Sequence, residues 1–167
     1  MNVLIVDGYN IIGAWRGFHE VNDLALARDH LLNLMADYQA FSGFRVIVVF
    51  DAHHADGPES KMEQYKIEII YTKKDETADE CIERLILKYK NIQNEVYVAT
   101  SDYLEQRIIF GKGALRKSAR ELLLEIEEFS KEVESKMEEH KKEKPPSTIN
   151  LNDDIRAVFE KWRRGVK

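Results

Sequence analysis

An α/β fold with a central, mainly parallel sheet of four to five strands and helices on both faces is predicted by three features of the sequence. Strand-sized apolar runs alternate with longer stretches whose apolar residues recur at helical spacing. Three of the strand candidates are apolar at nearly every position, the pattern of strands covered on both sides. Each of those three ends at or just before an acid, Asp7, Asp51 or Asp102.

The first run, Val3 to Val6, stops at Asp7-Gly8. Residues 11–19 read as an apolar and aromatic loop, longer than a simple connection requires. Asn22 and Asp23 then offer an N-cap for a helix to about Phe41, with Leu24, Ala27, Leu31, Leu34, Met35 and Tyr38 on one face and Gly43 closing it. Arg45 to Phe50 is a second buried strand, ending at Asp51. His53 to Ser60, with Gly57-Pro58 inside it, reads as a surface loop, and Ile67 to Tyr71 as a third strand, shorter and more exposed. Thr77 is placed to cap a helix bearing Ala78, Ile82, Leu85, Ile86 and Tyr89, with Asp79 and Glu80 in its first turn.

Glu95 to Ala99 is the fourth strand, followed at once by Thr100-Ser101-Asp102 and a helix to about Phe110. Gly111-Lys112-Gly113 breaks the chain before a short fifth strand, Ala114 to Arg116. From Ser118 a long helix, apolar at Leu122, Leu123, Ile126, Phe129, Val133 and Met137, reaches about Lys142. Pro145-Pro146 ends it, and a short terminal helix carries Ile155, Val158, Phe159 and Trp162. One domain is expected over residues 1–144, with a linker and short helix, 145–167, packed on it.

A chain of 167 residues is long enough to bury roughly 70% of its unfolded surface without cross-links. Its single cysteine, Cys81, excludes an internal disulfide and suits a reducing compartment. No run has the length of a membrane span and the N-terminus lacks a signal-peptide pattern, so a cytoplasmic location is expected, with no membrane partner. A net charge of -5 argues against coating nucleic acid by charge alone, although acids gathered at a cation are neutralised by it.

With the first strand central, Asp7, Asp51 and Asp102 fall along one edge of the sheet, where open α/β folds bind ligands. The helix start at Asp79 can face the same cleft. Carboxylates so placed repel one another unless protons or cations intervene, and short Asp side chains suit a hard ion such as Mg2+ or Mn2+ that takes further ligands from phosphate. That chemistry is metal-dependent phosphodiester hydrolysis. Asp7 is expected to anchor the metal, Asp51, Asp79 and Asp102 to complete its ligands, and Asn10 and Ser101 to orient water or phosphate. Glu76, Thr77 and Glu80 stand close enough in sequence to contribute. Taken singly, each strand-end acid reads as a cap or turn former; the set is harder to explain that way.

His53-His54 has no third soft ligand nearby and reads as solvated loop. Cys81 reads as a packed thiol, since no histidine lies near it in sequence. Arg107, Lys112, Arg116, Lys117 and Arg120 form a basic group able to hold a phosphate backbone. Trp15 and Phe18 suit either stacking on unpaired bases or a lid over the core, with equal claim.

Val-Asp-Gly-Tyr-Asn at 6–10, Val-Phe-Asp at 49–51, Thr-Ala-Asp at 77–79 and Thr-Ser-Asp at 100–102 resemble the pattern of NYN domains, relatives of PIN-domain nucleases. In order, spacing and C-terminal elaboration the chain is most similar to the bacterial YacP-like group. The resemblance covers residues 1 to 165. It implies a PIN-like Rossmannoid three-layer sandwich, a Mg2+ or Mn2+ centre, and endoribonuclease activity on single-stranded RNA, with mRNA on translating ribosomes as substrate and the ribosome as partner. By matching motifs the site residues implied are Asp7, Asn10, Asp51, Asp79 and Asp102, in a monomer or weak oligomer. Two rival readings remain: a non-catalytic RNA- or ribosome-binding module on the same fold, and an aspartyl-phosphate phosphotransfer domain. The second is disfavoured because Asp7 is followed by Gly8 and Tyr9 rather than by a further acid.

Overall fold

The computed structural model describes residues 1–18, 23–52, 60–64, 66–143, 157–158, 160–161 and 163–165. Its element order is β1 (Asn2–Asp7), α1 (Gly8–Ala14), a 3-10 turn (Arg16–Phe18), α2 (Leu24–Ser42), β2 (Arg45–Phe50), β3 (Ser60–Gln64), β4 (Ile67–Tyr71), α3 (Ala78–Tyr89), β5 (Glu95–Ala99), α4 (Tyr103–Gly111), β6 (Leu115–Lys117) and α5 (Ala119–Glu143). The chain divides into two compact units, Met1–Phe129 and Ser130–Lys167.

One sheet runs in the order β3-β4-β2-β1-β5-β6. Five strands are parallel, and β3 adds to β4 as an antiparallel edge. Period-2 alternation divides the apolar runs between two cores, which is why they are continuous rather than alternating. Leu4 and Val6 of β1 and Val46, Val48 and Phe50 of β2 pack with α1, α2 and the start of α5 through Ile11, Ile12, Leu31, Met35, Tyr38, Leu122 and Ile126. Val3, Ile5, Ile47, Val49, Val96 and Val98 face the opposite way, onto Cys81, Ile82, Leu85 and Ile86 of α3 and Ile109 of α4.

The helix boundaries follow from local chemistry. Asp23 caps α2 by accepting the Ala25 N–H at 2.9 Å, and Gly43, at φ 72°, closes it in the left-handed conformation that glycine adopts without strain. Thr77 and Glu80 form a reciprocal capping box at the start of α3. These elements stand where the sequence predicts them.

Two expectations are corrected and one is extended. The stretch from residue 11, expected as a loop to 19, instead continues a helix over Gly8–Ala14, because Ile11 and Ile12 bury against the sheet and Trp15 follows them inward, its indole N–H donating to the Ala119 carbonyl at 2.8 Å. The sheet carries the expected parallel strands, five in all, with helices on both faces, and β3 extends it: Ser60–Gln64 pairs antiparallel with β4 from Ser60 opposite Tyr71 to Gln64 opposite Ile67. Its sequence, Ser-Lys-Met-Glu-Gln, has no apolar run to announce a strand. With that edge covered and β2 on its other side, β4 is not exposed as predicted; Ile67, Ile69 and Ile70 are fully buried. His53, His54 and the Gly57-Pro58 turn lie outside the described residues. So do Ile155 and the side chains of Phe18, Phe159 and Trp162, while Val158 is half exposed. Among the described residues no helix is long and apolar enough to cross a membrane.

Candidate functional site

Chain direction within the sheet reverses beside β1. From β1 the chain moves outward to β2 and β4, then crosses to β5 and β6 on the other side. Helices α1 and α2 follow β1 on one face, while α4 follows β5 on the other. This is the switch point of an open α/β sheet, where the loops at the carboxyl ends of two neighbouring strands part and leave a crevice. Asp7 ends β1 on one side of it, and Thr100-Ser101-Asp102 leaves β5 on the other.

The crevice is tied across by Asn10. Its Oδ1 accepts both the Ser101 backbone N–H at 2.7 Å and the Ser101 hydroxyl at 2.8 Å. Two buried threonines set the turns that carry the other acids. Thr72 Oγ1 accepts the Ala52 N–H at 2.8 Å, holding the chain just past Asp51. Thr100 Oγ1 accepts the Asp102 N–H at 3.1 Å. Asp51 in turn accepts the Ala78 N–H at 3.2 Å, at the start of α3, and Asp102 accepts the Leu104 N–H at 2.8 Å as the N-cap of α4. Both side chains therefore have a capping function besides any role at the site.

Asp7, Asp79 and Glu105 converge most closely. Each offers a carboxylate oxygen, and the three lie within 4.8 Å of one another. Asp7 and Glu105 are buried and Asp79 is exposed. Burial raises the Asp7 carboxyl from its ordinary value of 3.8 to about 6; the Asn10 backbone amide partly offsets this, and the charges of Asp79, Asp51 and Asp102 push it further up. Asp79 is also raised, first by desolvation and then by Asp102, Asp51 and Glu80. The expected acids thus act on one another electrostatically. Oε2 of Glu105 is buried without a hydrogen-bond partner, an arrangement that costs free energy unless something supplies positive charge. A cavity of about 160 Å3, floored by Ile82, Ile86, Ile108 and Ile109, lies beside Asp79 and Glu105.

Glu105 is the residue that sequence reasoning missed. Its signal is faint but readable: it stands four residues before Ile109 on the one buried stripe of α4, so a carboxylate occupies a core-facing position. Other expectations find different surroundings. Thr77 and Glu80 are engaged with each other, and Glu76 pairs with Arg84 at 3.0 Å. Lys117 is paired with Glu125 and largely covered, and Lys112 pairs with Glu83 at 3.0 Å. Arg116 Nε donates to the Thr100 carbonyl at 3.1 Å, and Arg107 and Arg120 are exposed. Trp15, 4% exposed, is a core residue and offers no ring face to a base. Tyr9 packs on Phe50 at 5.0 Å between ring centroids and accepts a hydrogen bond from Arg28. Gly8 is small for a steric reason, since a Cβ there would stand 2.3 Å from Phe50 Cε1.

A parallel α/β sheet with carboxylates gathered at its switch point is the architecture of a PIN-like, nuclease-type domain. The chain belongs to the YacP-like NYN domain family, which matches residues 4–164. It is 50% identical, over 99% of its length and 98% of the other, to the Bacillus subtilis (strain 168) protein called "Uncharacterized protein YacP". The crystal structure of Rae1 (YacP) from Bacillus subtilis superposes with a TM-score of 0.76 at 50% identity, covering 99% of this chain and 96% of that one. That of a tryptophan-to-leucine variant of Rae1 superposes at 0.77, with 46% identity and the same coverage.

Proposed function

We propose that the protein is a divalent-metal-dependent endoribonuclease that hydrolyses phosphodiester bonds of single-stranded RNA, its substrate being mRNA on translating ribosomes. The observation that carries this reading is the convergence of Asp7, Asp79 and Glu105 at the switch point. The donor set suits a hard cation: three carboxylate oxygens within reach of one centre, a buried and unpartnered oxygen on Glu105, and an Asp7 whose charge burial makes costly, a cost that positive charge would offset. When bound, Mg2+ or Mn2+ supplies charge neutralisation and Lewis acidity at the phosphate.

The chain's own residues do the rest. Asp7, Asp79 and Glu105 would hold the cation, with Asp51 and Asp102 flanking it. Asn10 keeps the Ser101 hydroxyl and amide aligned across the crevice, beside the position a phosphate would take. The isoleucine-floored cavity lowers the local dielectric, which strengthens the acids' hold on a cation. Two arms of one experiment test the reading: cleavage of naked RNA, and of mRNA on translating ribosomes, each with Mg2+ or Mn2+. Wild type is expected to cleave in at least the ribosomal arm and Asp7→Asn in neither. Cleavage by a folded Asp7→Asn protein refutes the metal site, and no cleavage by wild type in either arm refutes the enzyme reading in favour of an RNA- or ribosome-binding module.

A further inference from the structure

Helix α4 turns an unusual face to solvent. Tyr103, Arg107 and Phe110 recur at i, i+4 and i+7, so they share one side of the helix. Glu105 and Ile109, both buried, lie on the opposite side. Tyr103 is 78% exposed and Phe110 50%. Arg107 stands exposed between them, with no ion pair among the described residues. Isolated exposed apolar residues are ordinary, but two rings interleaved with a guanidinium are not an accidental remainder of the core.

The face is tied to the site by Arg116 of the edge strand β6. Its guanidinium stands over the Tyr103 ring, 5.2 Å from the centroid, while its Nε donates to the Thr100 carbonyl, in the turn that delivers Ser101 and Asp102. One side of Tyr103 is therefore held by a cation, and the ring begins where the acid-bearing turn ends. The electrostatics are distinctive too. In a chain of net charge -5, α4 adds no acid of its own to this face, because the one acid within it, Glu105, points inward.

We propose that Tyr103, Arg107, Phe110 and Arg116 form the seat for single-stranded RNA leading into the carboxylate cluster. Unpaired bases stack on the two rings, and phosphates lie against the two guanidinium groups. Stacking on aromatic rings combined with arginine contacts to the backbone is the general way proteins hold unpaired nucleic acid without reading its sequence. The inference rests on the nuclease reading for its direction into the acids. Leu104, 83% exposed, and Ile108 occupy the adjoining side of the helix and present an apolar surface without the arginines; a protein partner would use that side instead.

The test measures binding of a labelled, unstructured oligoadenylate in Mg2+, by fluorescence anisotropy, with Asp7→Asn as the parent so that the strand is not cut. Tyr103→Ala and Phe110→Ala are each expected to weaken binding about tenfold, and Tyr103→Trp to restore it. Arg107→Gln is expected to flatten the salt dependence by roughly one phosphate's share. Leu104→Ser should bind as the parent does. Parent-like binding by the Tyr103→Ala, Phe110→Ala double variant overturns the proposal, as does failure of the parent to bind, or loss on Leu104→Ser alone. Cleavage assays of the single variants with Asp7 intact separate the two readings. Metal-dependent cleavage with unchanged KM in Tyr103→Ala keeps the nuclease and removes this seat. Tyr103-dependent binding without cleavage by wild type keeps the seat and removes the nuclease.

Discussion

Replacing Asp7 by Asn is expected to abolish cleavage and, in the absence of metal, to make the protein more stable. Asp7 is 9% exposed and its carboxyl is raised from 3.8 to about 6, chiefly by burial. An acid with a raised folded-state pKa binds its proton more tightly in the folded chain than in the unfolded one. Its ionisation therefore leaves stability untouched below about pH 3.8, erodes it as pH rises to about 6, and costs the full amount above that. The shift corresponds to about 3 kcal/mol at pH 7.5. Asparagine keeps the shape of the protonated carboxyl and removes the charge, so the variant escapes the cost. At roughly 2–4 °C per kcal/mol for a chain of this size, Asp7→Asn should melt up to about 10 °C higher than wild type at pH 7.5 in EDTA. The difference should shrink towards zero near pH 4. Adding Mg2+ should raise the melting temperature of wild type by mass action and leave the variant almost unmoved. Circular dichroism melts of both proteins across this pH range, with and without Mg2+, supply the measurement. An Asp7→Asn protein that is less stable than wild type in EDTA at pH 7.5, or a difference that does not change with pH, refutes the account of a buried, acid-crowded carboxylate.

Three further outcomes follow from the geometry. Glu105→Gln retains the side chain's volume but removes one carboxylate of the triad; Mn2+ affinity measured by calorimetry should fall at least about tenfold, while the metal-free melting temperature should hold or rise because one of three crowded carboxyl groups is replaced by a neutral amide. Gly8→Ala places a methyl group against the Phe50 ring and should cost about 1–3 kcal/mol in urea unfolding, a loss that Phe50→Leu in the same chain should partly recover. Thr77→Ala dissolves the capping box of α3 and should cost about 1 kcal/mol, with hydrogen exchange speeding in the turn that carries Asp79.

Strand positions and helix caps were readable because their signals are local. A doubly buried strand must be apolar at consecutive positions, so Val3 to Val6 and Val46 to Phe50 declare themselves, and Thr77 three residues before Glu80 declares a helix start. Where the signal depends on what packs opposite, the sequence alone points elsewhere. Ile11 and Ile12 look like part of a loop until the sheet beneath them is in place. Ser60–Gln64 becomes a strand only because β4 offers an open edge. Trp15 is balanced between core and surface in the sequence, and the Ala119 carbonyl decides for the core.

By itself the sequence determined a mainly parallel α/β chain with Asp7, Asp51 and Asp102 delivered to one edge, since an apolar run ended by an acid is a one-dimensional pattern, and its four short motifs carried the resemblance to NYN domains. Only the tertiary structure decided which carboxylates meet. Asp7, Asp79 and Glu105 come from three elements far apart in the chain and converge because α3 and α4 pack on the same face of the sheet. Asp51 and Asp102, equally prominent in the sequence, stand around that triad while holding the ends of α3 and α4. The reason is that convergence is a property of packed distances, which depend on the crossing of strands and the seating of helices, and no spacing along a single chain encodes them directly.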